Sequence, residues 1–96
     1  MKIRWSARAT KDLIAIFRFI AEDDPEAASR WVEKLRQRAS KAARAPRTGR
    51  WLPELPARRD IREVLLESCR IVYLERGSSI AVLTVFEGHR QLELKR

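Results

Sequence analysis

The chain has 96 residues, 45% of them apolar and 35% charged, with a formal net charge of +8, one Cys and one His. That length allows one domain, expected to span 1–96 and to bury about 60–65% of its unfolded surface, and the apolar content excludes global disorder. Cys69 and His89 stand alone, which excludes an intramolecular disulfide and a zinc cluster; no apolar run exceeds five residues, and the N-terminus lacks the apolar stretch of a signal peptide, so a cytoplasmic protein without a membrane span is expected.

Lys2-Ile-Arg-Trp5 alternates polar and apolar, the mark of a short first strand. Ser6 is a candidate N-cap, and Leu13, Ile16, Phe17 and Ile20 follow at helical spacing, which predicts a helix from Ala7 to about Glu22. Asp24-Pro25-Glu26 opens a second helix: a capping carboxylate, a proline at the first helical position and an acid in the first turn. This helix gathers Ala28, Trp31, Val32, Leu35, Ala39 and Ala42 on one face. The connection between the helices is tight, so they form an antiparallel hairpin.

The positive charge is concentrated in one place. Lys34, Arg36, Arg38, Lys41, Arg44, Arg47 and Arg50 occur with no acid among them; removing those seven charges from +8 leaves +1 for the other 79 residues. A single-sign stripe of this kind suits an anionic partner (nucleic acid, an acidic protein segment or the ribosome), with Lys34, Arg38, Lys41, Arg44, Arg47 and Arg50 as its candidate contacts.

Pro46, Gly49, Pro53 and Pro56 predict an irregular segment from Ala45 to Ala57. Strands are then expected near Arg59–Leu66, Arg70–Arg76 and Ser79–Phe86, the last two joined by a tight turn at Gly77-Ser78. The order β-α-α-β-β-β predicts an α+β fold, with an antiparallel helical hairpin on one face of a small, mainly antiparallel four-stranded sheet. The opposite face is expected to be open. Arg62, Arg70, Tyr73, His89 and Arg90 recur at positions compatible with that face and are the candidate target-binding residues, while Glu63, Glu67 and Glu75 are available to the arginines as cross-strand partners. Trp51, beside Arg50, is a candidate for stacking on a partner or for packing on the core.

Taken together, Leu13–Ile20, then Ala21-Glu-Asp-Asp-Pro-Glu-Ala-Ala28, Arg47-Thr-Gly-Arg50, Arg62-Glu63 and Arg70-Ile-Val-Tyr73 resemble the ParE/RelE superfamily of type II toxin–antitoxin toxins over nearly the whole chain. The helix-hairpin junction and the Gly-Arg ahead of the sheet look more like the ParE branch. The resemblance implies a growth-inhibiting toxin that needs no cofactor or metal. It also implies a toxin–antitoxin hetero-oligomer with a cognate acidic antitoxin, and DNA gyrase as the target of a non-enzymatic poison.

The RelE and YoeB-like alternative is a metal-independent endoribonuclease acting on mRNA at the ribosome. Such chemistry needs a base, a cation on the phosphate and an acid for the leaving oxygen. By motif, Glu54, Arg70 and His89 fall on those places. Arg90 stands where those relatives carry a tyrosine after the histidine, and no lysine occurs between Lys41 and Lys95, so the stacking aromatic and the lysine-rich face of the nucleases are both missing. A basic nucleic-acid-binding module is the further alternative.

Overall fold

A computed structural model describes residues 1–88. Strand β1 (Lys2–Trp5) leads into helices α1 (Ala7–Ala21) and α2 (Pro25–Arg44), then a 3-10 turn (Pro46–Thr48) and strands β2 (Arg50–Trp51), β3 (Ile61–Leu66), β4 (Cys69–Arg76) and β5 (Ser79–Glu87). The helices begin where the capping residues predict: the Ser6 side chain accepts from the Ala9 amide and Asp24 from the Ala27 amide, with Pro25 in the first turn. Each removes one unpaired donor from a helix start.

The sheet runs β1-β5-β4-β3-β2, parallel between β1 and β5 and antiparallel elsewhere. This is the expected α+β arrangement with one strand more than expected. The additional strand is Arg50–Trp51, inside the segment read as irregular, and it pairs with Glu63 and Arg62 at the β3 edge. Two residues between Gly49 and Pro53 carry too little periodic signal to register as a strand.

The helices cover one face. Ala9 and Leu13 of α1 and Leu35, Ala39, Ala42 and Ala43 of α2 pack on Val64, Ile71, Tyr73, Ile80, Val82 and Val85. Alanines at three of those α2 positions let the helix lie close to the sheet. A register shift between Val72 and Tyr73 leaves Leu83 as an extra residue on β5, the mark of a β-bulge. Helix α1 is bonded to the sheet at that bulge: Ser6 Oγ donates to the Leu83 carbonyl, and Asp12 Oδ2 accepts from Thr84 Oγ1 (2.6 Å) and the Val85 amide (2.9 Å).

The opposite face is not open. Leu52 and Leu55 of the proline-rich segment fold onto Ile61, Val72, Leu74, Leu83 and Phe86, forming a second apolar cluster. Leu52 is fully buried, because the short β2 strand turns the chain back across the sheet.

Candidate functional site

Pairing register decides which candidates meet. Arg62 lies opposite Tyr73, and Val64 opposite Ile71, so Arg62 and Tyr73 point to the helix-covered side. Arg70 lies opposite Leu65 and is one residue out of phase with them, so it points to the other side. The five residues expected on one face are therefore divided. Arg62 and Tyr73 share one face, Arg70 lies on the other, and His89 and Arg90 fall outside the described residues.

Tyr73 is fully buried, and its hydroxyl donates to the Pro46 carbonyl. Burial pushes its phenol pKa upward. Gly49 makes room for it: a Cβ there would overlap the Tyr73 hydroxyl and sit 2.9 Å from the Glu63 carbonyl oxygen. Gly49 has ordinary extended backbone (φ −68°), so closeness and not conformation demands glycine. Cys69, which falls between two of the expected strands, is the first residue of β4 and is buried on the helix face, which raises its pKa and leaves it a core side chain.

On the other face a four-member ion network joins loop to sheet. Arg70 donates through Nη1 and Nη2 to the two Glu54 oxygens (2.6 and 2.7 Å) and through Nε to Glu63 Oε1 (2.6 Å). Arg50 Nε donates to Glu63 Oε2. The Glu63 side chain is 0% exposed and that of Arg70 10%, so this is a buried pair with two partly exposed outer members. The Arg70 hydrogen bonds hold the Glu54 carboxyl below the usual glutamate range, and Glu54 in turn raises the Arg70 pKa. The guanidinium also lies 5.0 Å from the Phe86 ring centroid.

The network therefore does bring Glu54 and Arg70 together. Beside it, where the loop meets the sheet, lies a small apolar pocket of about 140 Å³ lined by Arg8, Leu52, Leu55, Ile61, Val72, Leu83 and Thr84. Among the described residues no cluster of His, Cys, Asp or Glu has the arrangement to hold a metal ion, and no helix is long and apolar enough to cross a membrane.

Residues 3–92 match the family model for the ParE toxin of the type II toxin–antitoxin system parDE. The chain belongs to the ParE toxin family. It is 34% identical over 92 residues to a protein of Sinorhizobium fredii named "Putative toxin Y4kP", covering 94% of this chain and 91% of that one. A solved structure described as the chromosomal ParDE TA system from P. aeruginosa has the same fold, with a TM-score of 0.74 over 91% of this chain and 95% of that chain at 21% identity.

In this ParE-family chain the edge strand β2 carries a second feature that sequence reading did not resolve. The Arg62 guanidinium lies 3.7 Å from the Trp51 ring centroid and that of Arg59 5.4 Å from it. Arg62 Nη1 also donates to the Arg47 and Gly49 carbonyls, at 3.2 and 2.9 Å, fixing the turn that leads into the strand. The signal for it was present in Arg50-Trp51 and Arg62, but it becomes readable only once β2 is known to pair with β3. Along the neighbouring helix Lys34, Lys41 and Arg44 are exposed, and Arg38 Nε donates to the Leu65 carbonyl at 3.2 Å.

Proposed function

We propose that this ParE-family toxin inhibits growth by poisoning DNA gyrase, without cutting RNA, and that an acidic, amphipathic antitoxin neutralises it in the cytoplasm as a toxin–antitoxin hetero-oligomer. The family assignment supports the toxin role. What favours a poison over a ribonuclease is the state of Arg70. A phosphate-stabilising cation needs free donors facing the scissile group, whereas Arg70 directs Nε, Nη1 and Nη2 to two carboxylates from a side chain that is 10% exposed. Glu54, bonded to the same guanidinium and lowered in pKa, is a correspondingly weak base at neutral pH.

For the antitoxin, Ile14 (45% exposed) and Phe19 (77% exposed) on α1 offer apolar contacts to an amphipathic segment that orders as it binds. Induced expression in a bacterium tests the target, with gyrase-dependent DNA damage and mRNA cleavage read in the same culture. DNA damage with intact mRNA is the expected result. Cleavage without damage overturns it and moves Glu54, Arg70 and His89 to catalytic roles.

A further inference from the structure

We propose that the β2 edge of the sheet and the adjoining flank of α2 form one binding surface for the phosphate backbone of duplex nucleic acid. This surface is distinct from the target choice argued above and stands whether or not gyrase is the target. Its contiguity comes from three bonds: Arg38 to the Leu65 carbonyl ties the helix flank to β3, and Arg62 to the Arg47 and Gly49 carbonyls ties β3 to the turn before β2. The helix flank contributes Lys34, Arg38, Lys41 and Arg44, and the edge contributes Arg47, Arg59 and Arg62. In α2, Lys34, Arg38 and Lys41 are spaced four and three residues apart and so lie on one side of the helix.

The carboxylates of the neighbouring strand and loop do not cancel this charge. Glu63 is bonded to Arg50 and Arg70, Glu54 to Arg70 and Asp60 to Arg58. Five of the seven contributing cations are arginines, whose planar forks suit phosphate oxygens.

Duplex is favoured over single strand because an unstacked base needs a free aromatic face. Trp51, the aromatic side chain of this edge, is already stacked by the Arg62 guanidinium. Nucleic acid is favoured over an acidic amphipathic peptide because such a peptide also needs an apolar seat. The exposed Ile14 and Phe19 are on α1, Leu65 points with Arg70 to the opposite face, and Trp51, the large apolar side chain exposed on this edge, is stacked by the Arg62 guanidinium. Nor is β2, two residues long, a template for adding a strand.

The test is anisotropy of the purified chain with a fluorescent mixed-sequence 25-base-pair duplex between 50 and 200 mM salt. With five to seven phosphates contacted, log K is expected to fall against log salt with a slope of about −5 to −6. Substituting Lys41→Gln, Arg44→Gln and Arg47→Gln together is expected to lower that slope by nearly 3 units and to weaken binding at 50 mM salt at least tenfold. The charge-matched set Lys2→Gln, Lys11→Gln and Arg18→Gln, exposed on β1 and α1, is expected to keep the slope within about 1 unit. Equal losses in both sets overturn the proposal, since net charge alone then explains binding. So does an absence of duplex binding at 50 mM salt, or tighter binding of polyglutamate than of duplex, which assigns the surface to an acidic protein segment. If the triple variant loses its circular-dichroism signal, Arg47→Glu alone, on the exposed turn, carries the same comparison.

Discussion

Beneath the helices, Val64, Ile71, Tyr73, Ile80, Val82 and Val85 meet an alanine-lined helix pair, and the Tyr73 hydroxyl donates to the Pro46 carbonyl. On the opposite face, Leu52 and Leu55 cover Ile61 and Val72, but the covering is a loop held by charge: Glu54 clasps Arg70, and Arg70 and Arg50 share the buried Glu63. A helix pair satisfies its own backbone and can rely on burial alone. A proline-rich loop has no ladder of its own and needs side-chain bonds to fix its position. The same difference places Arg70 in bonds to two carboxylates, while Lys34, Lys41 and Arg44 on α2 are exposed.

The largest break in that comparison is Glu63→Ala. It removes a fully buried carboxylate from two guanidiniums, and a cost of about 3 kcal/mol is expected, the lower end for a broken buried pair because Glu54 still holds Arg70. Urea unfolding at pH 7 measures it. The sharper version replaces both partners, Glu63→Leu with Arg70→Met. If the outer face needs only filled volume, this double variant is as stable as the parent or more so. A double variant as weak as Glu63→Ala would mean that the loop depends on the charges themselves.

The helix-covered face was legible in the sequence where its side chains repeat with regular periods: Leu13, Ile16 and Ile20 on one helix, and Ala28, Leu35, Ala39 and Ala42 on the other. The outer face was not, for identifiable reasons. Leu52 and Leu55 sit between prolines in a stretch without period, and Glu63 was available to Arg70 as a cross-strand partner, but the sequence does not show that the fold buries the pair. The Leu83 bulge shifts the phase of β5, which alternation cannot anticipate. Arg70 was singled out, with Glu54 by motif and Glu63 as a cross-strand candidate, but the sequence does not show that both carboxylates converge on its guanidinium from two other elements. Tyr73 was assigned to the wrong face because the sequence does not reveal that the turn at Pro46 passes over it.

The next effect belongs to the helix-covered face. Gly49→Ala places a methyl group against the Tyr73 hydroxyl and the β3 backbone, and a loss of about 2 kcal/mol is expected from overpacking. Tyr73→Phe removes that hydroxyl and strands the Pro46 carbonyl, for a cost of about 1 kcal/mol. Combined, the two are expected to cost less than their sum, because the phenylalanine vacates the space that the new methyl group needs. Additive losses in a double-mutant thermal-melt series would show that Gly49 is required by the β3 backbone instead.

The smallest effect is the most selective between the faces. Arg70 holds Glu54 below its ordinary value of 4.5, so the folded state favours the ionised carboxylate. A group with a depressed folded pKa stabilises fully above its unfolded value and loses that contribution as pH falls through the folded value. Stability from the clasp should therefore be intact at pH 7 and decline below about pH 4.5. With the Glu54 side chain 35% exposed, solvent screens the interaction, and a contribution of no more than about 1 kcal/mol is expected. Glu54→Gln should lower stability at pH 7 by that amount, and the gap from the parent should close as the pH falls toward 3. Hydrogen exchange in acid then separates the faces. Amides near Leu52 and Leu55 should lose protection at a higher pH than those of Ile71 and Tyr73, whose side chains pack under the helices on apolar contacts that do not titrate. Simultaneous loss at both places would mean that the loop and the helix-covered core unfold as one unit, and that the clasp contributes to the whole fold and not to the outer face alone.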